Sequence, residues 1–314
     1  MIFITGSNGF LGSHLVKRLG DKALSLLDRG SPKNSSKHRF LQAEINGISD
    51  YTAGLMGCCA VIHCAARVHI MDDTVDEPLE AYREVNTRGT VNLAKQAAYL
   101  GVKRFIFVSS IKVNGEKTEL GKPFNNVDKH LPEDDYGISK AEAEQQLFDI
   151  GEETGMEIVV VRPTLVYGPG VKANFASLMR LAAKGIPLPF GSISHNKRSL
   201  VSVENLVDLI VTCIDHPKAA NEIFLVSDDH DVSTSKMVRQ MAIALDKPTW
   251  QLFVPVWCYQ LAGKLFGKSD VVDRLVGSLQ VDITHTKQTL DWTPPQSLEE
   301  GFRETAQALL NSKK

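Results

Sequence analysis

Three glycines at fixed spacing constrain this chain more than any other feature. The run Thr5-Gly6-Ser7-Asn8-Gly9-Phe10-Leu11-Gly12 follows an apolar stretch, Ile2-Phe3-Ile4, and opens a helical pattern. A GxxGxxG run between strand and helix predicts a tight turn whose helix N-terminus is open to an anion. The absent side chains let a pyrophosphate approach the first N–H groups, where the helix dipole favours negative charge. Gly6, Asn8, Gly9, Phe10, Leu11 and Gly12 are therefore the expected cradle for a dinucleotide.

Short apolar runs then alternate with longer helical patterns through the first half, which predicts βαβ units on a parallel sheet. Strands are expected near residues 1–5, 24–28, 61–64, 105–109 and 158–162, with helices beginning near Asn8, Asp50, Leu79 and Tyr136. The runs are continuous rather than alternating, as in strands covered by helices on both faces. The expected fold is α/β, a Rossmann-like doubly wound parallel sheet with a smaller C-terminal α/β substrate lobe. Loop signals at Tyr167-Gly168-Pro169-Gly170 and at residues 185–189 put the boundary near residue 165. Residues 1–165 are the expected dinucleotide-binding domain, with a return segment near 199–227, and 166–314 mainly the substrate lobe. A chain of 314 residues has room for both, since single cores stop growing near roughly 250–300 residues.

A formal net charge of −2 offers no electrostatic footprint for nucleic acid, so any anionic ligand must be met by local groups. Five cysteines contain no CxxC pair and are expected to be reduced packing residues, with no metal site. Residues 250–266 are the most apolar stretch, but Gln251, Gln260 and Lys264 interrupt it and Pro255 breaks it, so no membrane span is expected. Core or interface packing is the first reading of this stretch, and peripheral membrane contact the alternative. Without a signal-peptide pattern at the N-terminus, a cytoplasmic protein is expected.

Tyr136 and Lys140 stand four apart, on one face of an expected helix, and Ser110 follows an expected strand. A lysine ammonium and an oxidised nicotinamide would both favour a phenolate, lowering the tyrosine toward neutrality, while Ser110 bonds the same substrate oxygen. Tyr136 and Lys140 are also candidates for cofactor contact. Asp28, closing the second strand, is placed to accept from ribose hydroxyls, which favours NAD; Arg29 beside it leaves NADP possible. Glu44 and Ile45 are candidates for the adenine edge. His63 is expected to order strand-end backbone, and Asp134-Asp135 to cap a helix.

The ordered pieces TGSNGFLG (5–12), HCAA (63–66), NTRGTVNL (86–93), FVSSIKVNG (107–115), YGISK (136–140), RPTLVYGPG (162–170) and KRSLVSVENL (197–206) resemble the extended short-chain dehydrogenase/reductase family, and within it the sugar-nucleotide 4-epimerases. The resemblance implies that Ala65, Ala66 and Asn86 line the cofactor groove and that Asn174, Phe175 and Arg198 hold a nucleotide diphosphate. It implies a homodimer pairing through residues 79–100 and 136–151. Two departures stand out: Ser110-Ile111-Lys112 replaces the Thr-Asp-Glu of the family's dehydratases, so dehydration is not expected, and Asn114 replaces the usual tyrosine of the VYG run. Near Leu279 the resemblance implies a residue beside the sugar C2, and no aromatic stands there to exclude an N-acetyl group. The expected activity is NAD-dependent 4-epimerisation of a UDP-hexose or UDP-N-acetylhexosamine through a 4-keto intermediate. The alternative is an NADPH-dependent 4-keto reductase of a nucleotide-linked 4-keto-6-deoxy sugar. A dinucleotide-sensing regulator would not need the Ser110, Tyr136 and Lys140 set.

Overall fold

The computed structural model describes residues 1–32, 37–68 and 76–311, and of residues 173 and 174 the backbone alone. Among them seven strands form one parallel sheet: β1 (Ile2–Thr5), β2 (Leu24–Asp28), β3 (Arg39–Gln42), β4 (Ala60–His63), β5 (Arg104–Val108), β6 (Glu157–Pro163) and β9 (Glu222–Val226). Their order is β3-β2-β1-β4-β5-β6-β9, so the direction of winding reverses between β1 and β4. Ligands of open α/β sheets settle in the crevice at the carboxyl ends of the strands at such a switch point. A short parallel pair, β7 (Leu165–Tyr167) and β8 (Leu200–Ser202), lies outside the main sheet.

Side chains of successive residues leave opposite faces of a strand, and both faces of this sheet are covered. Ile4, Ile62, Ile106 and Val159 pack on one side with Leu15 of the helix Phe10–Arg18 and Leu206 and Ile210 of the helix Val203–Asp215. Phe3, Val61, Phe105 and Ile158 pack on the other with Leu93 of the helix Thr90–Tyr99 and Leu147 of the helix Asp135–Thr154. A third cluster, with Tyr167, Phe175, Met241 and Phe302, forms the core of the C-terminal lobe.

The strands read from the sequence form within a residue or two of their expected places. β3 was missed because its four residues are half exposed at the sheet edge. The apolar stretch 250–266 is mostly at the surface: Trp250, Phe253, Trp257, Leu265 and Phe266 are exposed, while Tyr259 packs against the core of the lobe. No described helix is long and apolar enough to cross a membrane.

Two buried polar clusters fix the strand ends. His63 ends β4, its Nδ1 2.6 Å from the Thr5 hydroxyl and its Nε2 2.9 Å from the Thr90 hydroxyl. Thr5 Oγ1 also accepts from the Ala65 N–H at 3.1 Å. An imidazole protonated on Nε2 fits this chain, taking the Thr5 proton at Nδ1 and donating to Thr90. Full burial, reinforced by Lys140, pushes His63 down to about 3, so it is neutral and structural.

The second cluster surrounds Glu144 on the helix Asp135–Thr154. Its carboxylate accepts from Arg162 of β6, Nε to Oε1 at 3.0 Å, and from the Ser109 hydroxyl just beyond β5. Arg162 also donates to Asn114 Oδ1 at 2.9 Å and to His130 Nε2 at 2.6 Å. Glu144 and Arg162 are both fully buried.

Glu144→Leu should leave the Arg162 charge buried and uncompensated, at a cost of about 3–5 kcal/mol in urea unfolding. The double variant Glu144→Leu/Arg162→Met should lose less than the single one; an equal or larger loss would show that the pair is not the source.

For His63, the folded value of about 3 lies below the ordinary 6.5, so the unfolded chain takes up the proton first. Its contribution is complete above pH 6.5 and is lost as pH falls toward 3, at up to about 1.4 kcal/mol per pH unit. The stability difference between wild type and His63→Gln should therefore shrink from about pH 7 to pH 4.5. A constant difference would mean that His63 is charged in the folded protein.

Candidate active site

The glycine turn sits at the carboxyl end of β1. Gly6 has φ +66°, and a Cβ there would lie 3.0 Å from the Ala65 backbone. A Cβ on Gly12 would collide with the Gly6 carbonyl oxygen, and one on Gly9 would come within 3.0 Å of it. The turn thus brings helix, strand β1 and the loop after β4 into backbone contact that no larger residue allows. No side chain caps the helix Phe10–Arg18, and no acidic residue stands in its first turn. Its positive end is not neutralised from within, which fits a pyrophosphate. Phe10 and Leu11 turn their side chains against the core, so only their backbone faces the turn.

Asp28 lies alongside, one carboxylate oxygen accepting from Asn8 N at 3.0 Å and the other from Gly30 N at 3.1 Å. A carboxylate has about four acceptor positions, so these bonds orient it and leave room for a ribose diol. Arg29 is exposed, its carbonyl accepting from Gln42. Glu44 is exposed as well.

The structure redirects several expected contacts. The Ile45 side chain is buried against Gly89, where a Cβ would lie 2.6 Å from its Cγ2, so only its backbone can face a ligand. Asn86 is fully buried: Oδ1 accepts from Arg67 N at 2.8 Å, and Nδ2 donates to Arg67 O and Ser139 Oγ at 3.0 Å each. Its amide braces the loop of Ala65 and Ala66 against the catalytic helix instead of reaching a cofactor. It stands on a π-helical stretch, Arg83–Gly89, a form of helix often found at functional sites. Phe175 stacks on Tyr167 at 5.2 Å inside the lobe core, so its ring is no substrate contact. Leu279 likewise points into the core, so it does not bound the sugar C2. The side chain of Asn174 lies outside the described residues.

Ser110, Tyr136 and Lys140 converge. Ser110 directly follows Ser109 at the end of β5 and accepts from Lys112 N at 3.2 Å. Asp134 caps the helix Asp135–Thr154 by accepting from Gly137 N at 2.7 Å, which sets Tyr136 in the first turn. The Ser110 hydroxyl is near enough to the Tyr136 phenol to lower it, and Tyr82 packs edge-on at 6.2 Å between ring centroids. One turn on, Lys140 Nζ donates to the Val108 carbonyl at 2.8 Å and lies 4.3 Å above the Phe107 ring.

The chain by itself, without a nicotinamide, supplies only part of the expected electrostatics. Burial pushes the Tyr136 phenol up, with Asp134 and Tyr82 adding to the effect and the Ser110 hydroxyl opposing it. Burial pulls Lys140 down to about 7, against the influence of Cys64 and Glu144. Within the chain alone the pair is not poised as phenolate and ammonium, and lowering the phenol requires a further positive charge nearby.

Asn114 is turned inward, accepting from Arg162 and donating to the Asn125 carbonyl at 3.3 Å, so this departure from the family run supports the buried ion pair. Lys112 pairs with Glu116 and Asp134, so a lysine occupies the position where a dehydratase carries an acid. Beside them runs a groove of about 250 Å³ lined by Lys112, Asp134, Arg198, Asp273, Arg274 and Gly277. Arg198 donates to the Arg274 carbonyl at 2.7 Å. Among the described residues no cluster of three or more His, Cys, Asp or Glu side chains could hold a metal.

Residues 2–227 match the model of the NAD dependent epimerase/dehydratase family. Over 314 residues the chain is 64% identical to a UDP-glucose 4-epimerase of Vibrio cholerae, covering 99% of this chain and 96% of that one. It is 26% identical to an N-acetyl-alpha-D-glucosaminyl-diphospho-ditrans,octacis-undecaprenol 4-epimerase of Escherichia coli O157:H7, covering 98% and 94%. A solved UDP-glucose 4-epimerase of Thermotoga maritima with UDP-glucose superposes with a TM-score of 0.79 at 23% identity, covering 100% and 99%, and so shares the fold. The cradle, the switch-point crevice and these matches agree: the chain belongs to the NAD-dependent epimerase/dehydratase family.

Proposed function

We propose that this chain is an NAD-dependent UDP-hexose 4-epimerase that interconverts UDP-glucose and its C4 epimer, UDP-galactose. The observation that carries the reading is identity of 64% over essentially the whole length to the Vibrio cholerae UDP-glucose 4-epimerase. The convergence of Ser110, Tyr136 and Lys140 below the glycine cradle supports it.

NAD held in the cradle supplies a hydride acceptor, and then a donor, at the sugar C4, so net redox change is zero. Tyr136 Oη takes the proton of the C4 hydroxyl and later returns it. Ser110 holds the same oxygen and fixes the direction of that proton transfer. Lys140, anchored on the Val108 carbonyl, sets the positive potential beneath the phenol. The Asp28 carboxylate takes the ribose hydroxyls and disfavours a 2′-phosphate. Arg198, with the backbone near Asn174, holds the nucleotide diphosphate.

The protein as purified should retain NAD and convert UDP-glucose without added cofactor. Tyr136→Phe should cut kcat by about 10²–10⁴-fold with NAD still bound, and Arg198→Ala should raise KM for UDP-glucose while leaving bound NAD unchanged. A requirement for added NADPH, consumed one per turnover, would replace the epimerase by the reductase.

The same reading includes a homodimer through the helices Thr90–Tyr99 and Asp135–Thr154, which lie side by side, with Arg83 joined to Glu142 at 2.6 Å next to them. Light scattering at micromolar concentration should give twice the mass of the chain, and a monomer would remove this part of the proposal.

A further inference from the structure

The two segments that meet at the phenol are joined through one residue. Ser110 caps the short 3₁₀ turn Ile111–Val113, its Oγ accepting from the Lys112 N–H at 3.2 Å. Tyr136 stands in the first turn of the helix Asp135–Thr154, where one carboxylate oxygen of the cap Asp134 accepts from the Gly137 N–H. The other oxygen of Asp134 accepts from Lys112 Nζ at 2.5 Å. Between these contacts the backbones close up: a Cβ on Gly137 would lie 2.8 Å from the Lys112 carbonyl oxygen. Ile111 and Val113 on either side of Lys112 are buried, and the Val113 carbonyl accepts from the Leu131 N–H at 2.9 Å, which holds the approach to Asp134 on the same turn. Lys112 thus meets Ser110 with its N–H and the head of the Tyr136 helix with its carbonyl and its ammonium.

The charge of Lys112 falls where the phenol can feel it. Facing the phenol are Asp134 from the head of its own helix, Tyr82 from the helix Pro78–Tyr82 and Ser110 from the end of β5, with Lys140 one turn further on. A carboxylate beside a phenol favours the protonated form, and a cation on that carboxylate offsets the effect. Lys112 stands between two carboxylates, donating also to Glu116 Oε1 at 2.7 Å. Glu133 precedes Asp134 in the chain, and Arg198, Asp270, Asp273 and Arg274 share the groove. Lys117 is drawn to Asp273 at 3.0 Å and Arg198 to the Arg274 carbonyl, whereas Lys112 is in direct contact with Asp134.

We propose that Lys112 is a positioning residue for the proton transfer, clasping the turn of Ser110 to the head of the Tyr136 helix and covering the Asp134 charge beside the phenol. The inference rests on the reading of Tyr136 as the group that takes and returns the sugar proton. The side chains of Lys112, Glu116 and Asp134 are exposed by 22%, 22% and 21%, so solvent screens the charges in part. The effect on the phenol is then on the order of one pH unit, not several.

The test is the pH profile of kcat for UDP-glucose in Lys112→Met, Lys112→Arg and the double variant Lys112→Met/Asp134→Asn. Without the ammonium Asp134 raises the phenol, so the acid limb of Lys112→Met should move up by about one pH unit, with kcat on that limb lower by about tenfold. Lys112→Arg keeps the charge and should hold the limb at its wild-type place. The double variant keeps a capping side chain while removing the negative charge, so its limb should return to the wild-type place or below. A Lys112→Met limb that does not move would overturn the proposal. So would a double variant no better than Lys112→Met, because loss of a merely structural contact is not repaired by removing its partner. Failure of the reaction reading is seen separately, as a wild type that does not interconvert UDP-glucose. Ultraviolet titration of the protein with saturating NAD, taken as the difference from Tyr136→Phe, then reads the phenol directly, and equal titration in wild type and Lys112→Met would overturn the clasp.

Discussion

The buried carboxylate of Glu144 is the constraint on which the active site rests. Tyr136, Lys140 and Glu144 form one row along the helix Asp135–Thr154. A fully buried carboxylate must be both paired and hydrogen-bonded, and its partners arrive from three other places. Arg162 comes from β6, Ser109 from the end of β5, and Asn114, through Arg162, from the turn after Ser110. Sliding the helix by one residue would turn this row by about 100° and strand the charge. The register that satisfies Glu144 is the register that sets Tyr136 against Ser110 and Lys140 under the crevice. Stability and catalytic geometry here are consequences of one cluster.

The electrostatics of the row then divide the work between protein and cofactor. Burial raises the phenol and lowers the ammonium, so the chain does not hold a phenolate by itself. On the proposed reaction this is an advantage. With the phenol raised, Tyr136 would accept the sugar proton readily only with a bound oxidised nicotinamide supplying the further positive charge, that is, only with a hydride acceptor in place. His63, close enough to feel Lys140, stays neutral because of its own burial, so it does not add a second proton acceptor to the site.

Most of the sheet and the centre of the site were legible in the sequence for the same reason: both depend on short-range patterns. Buried parallel strands are continuous apolar runs, the glycine turn is contiguous, and Tyr136 and Lys140 are one helical turn apart. What escaped depends on contacts between distant segments. Asn86, Ile45 and Phe175 stand in motif positions, yet their side chains are taken up by Ser139 and Gly89, far along the chain, and by Tyr167 of a different element. Glu144 was within reach, since it continues the spacing of Tyr136 and Lys140, but only its burial distinguishes it from the solvated carboxylates around it. How strongly burial raises the phenol in the chain alone was not legible, because the sequence shows which groups are near and not how far water is excluded.

The apolar stretch of the C-terminal lobe shows the limit of composition most plainly. Tryptophan, phenylalanine and leucine in one segment describe a core helix and an interfacial helix equally well, and the difference lies in which face the rest of the protein occupies. Here Gly263 decides it. With no side chain, it lets the helix Val256–Leu265 lie directly on the helix Ser269–Val276, and this close approach, with Tyr259 one turn earlier packed on the lobe core, sets the protein-facing side. Trp257, Leu261 and Leu265, four apart on the opposite side, are then necessarily outside. The supporting helix also carries Asp273 and Arg274 into the groove of Arg198, so the contact that exposes the apolar face is the one that shapes the polar groove behind it.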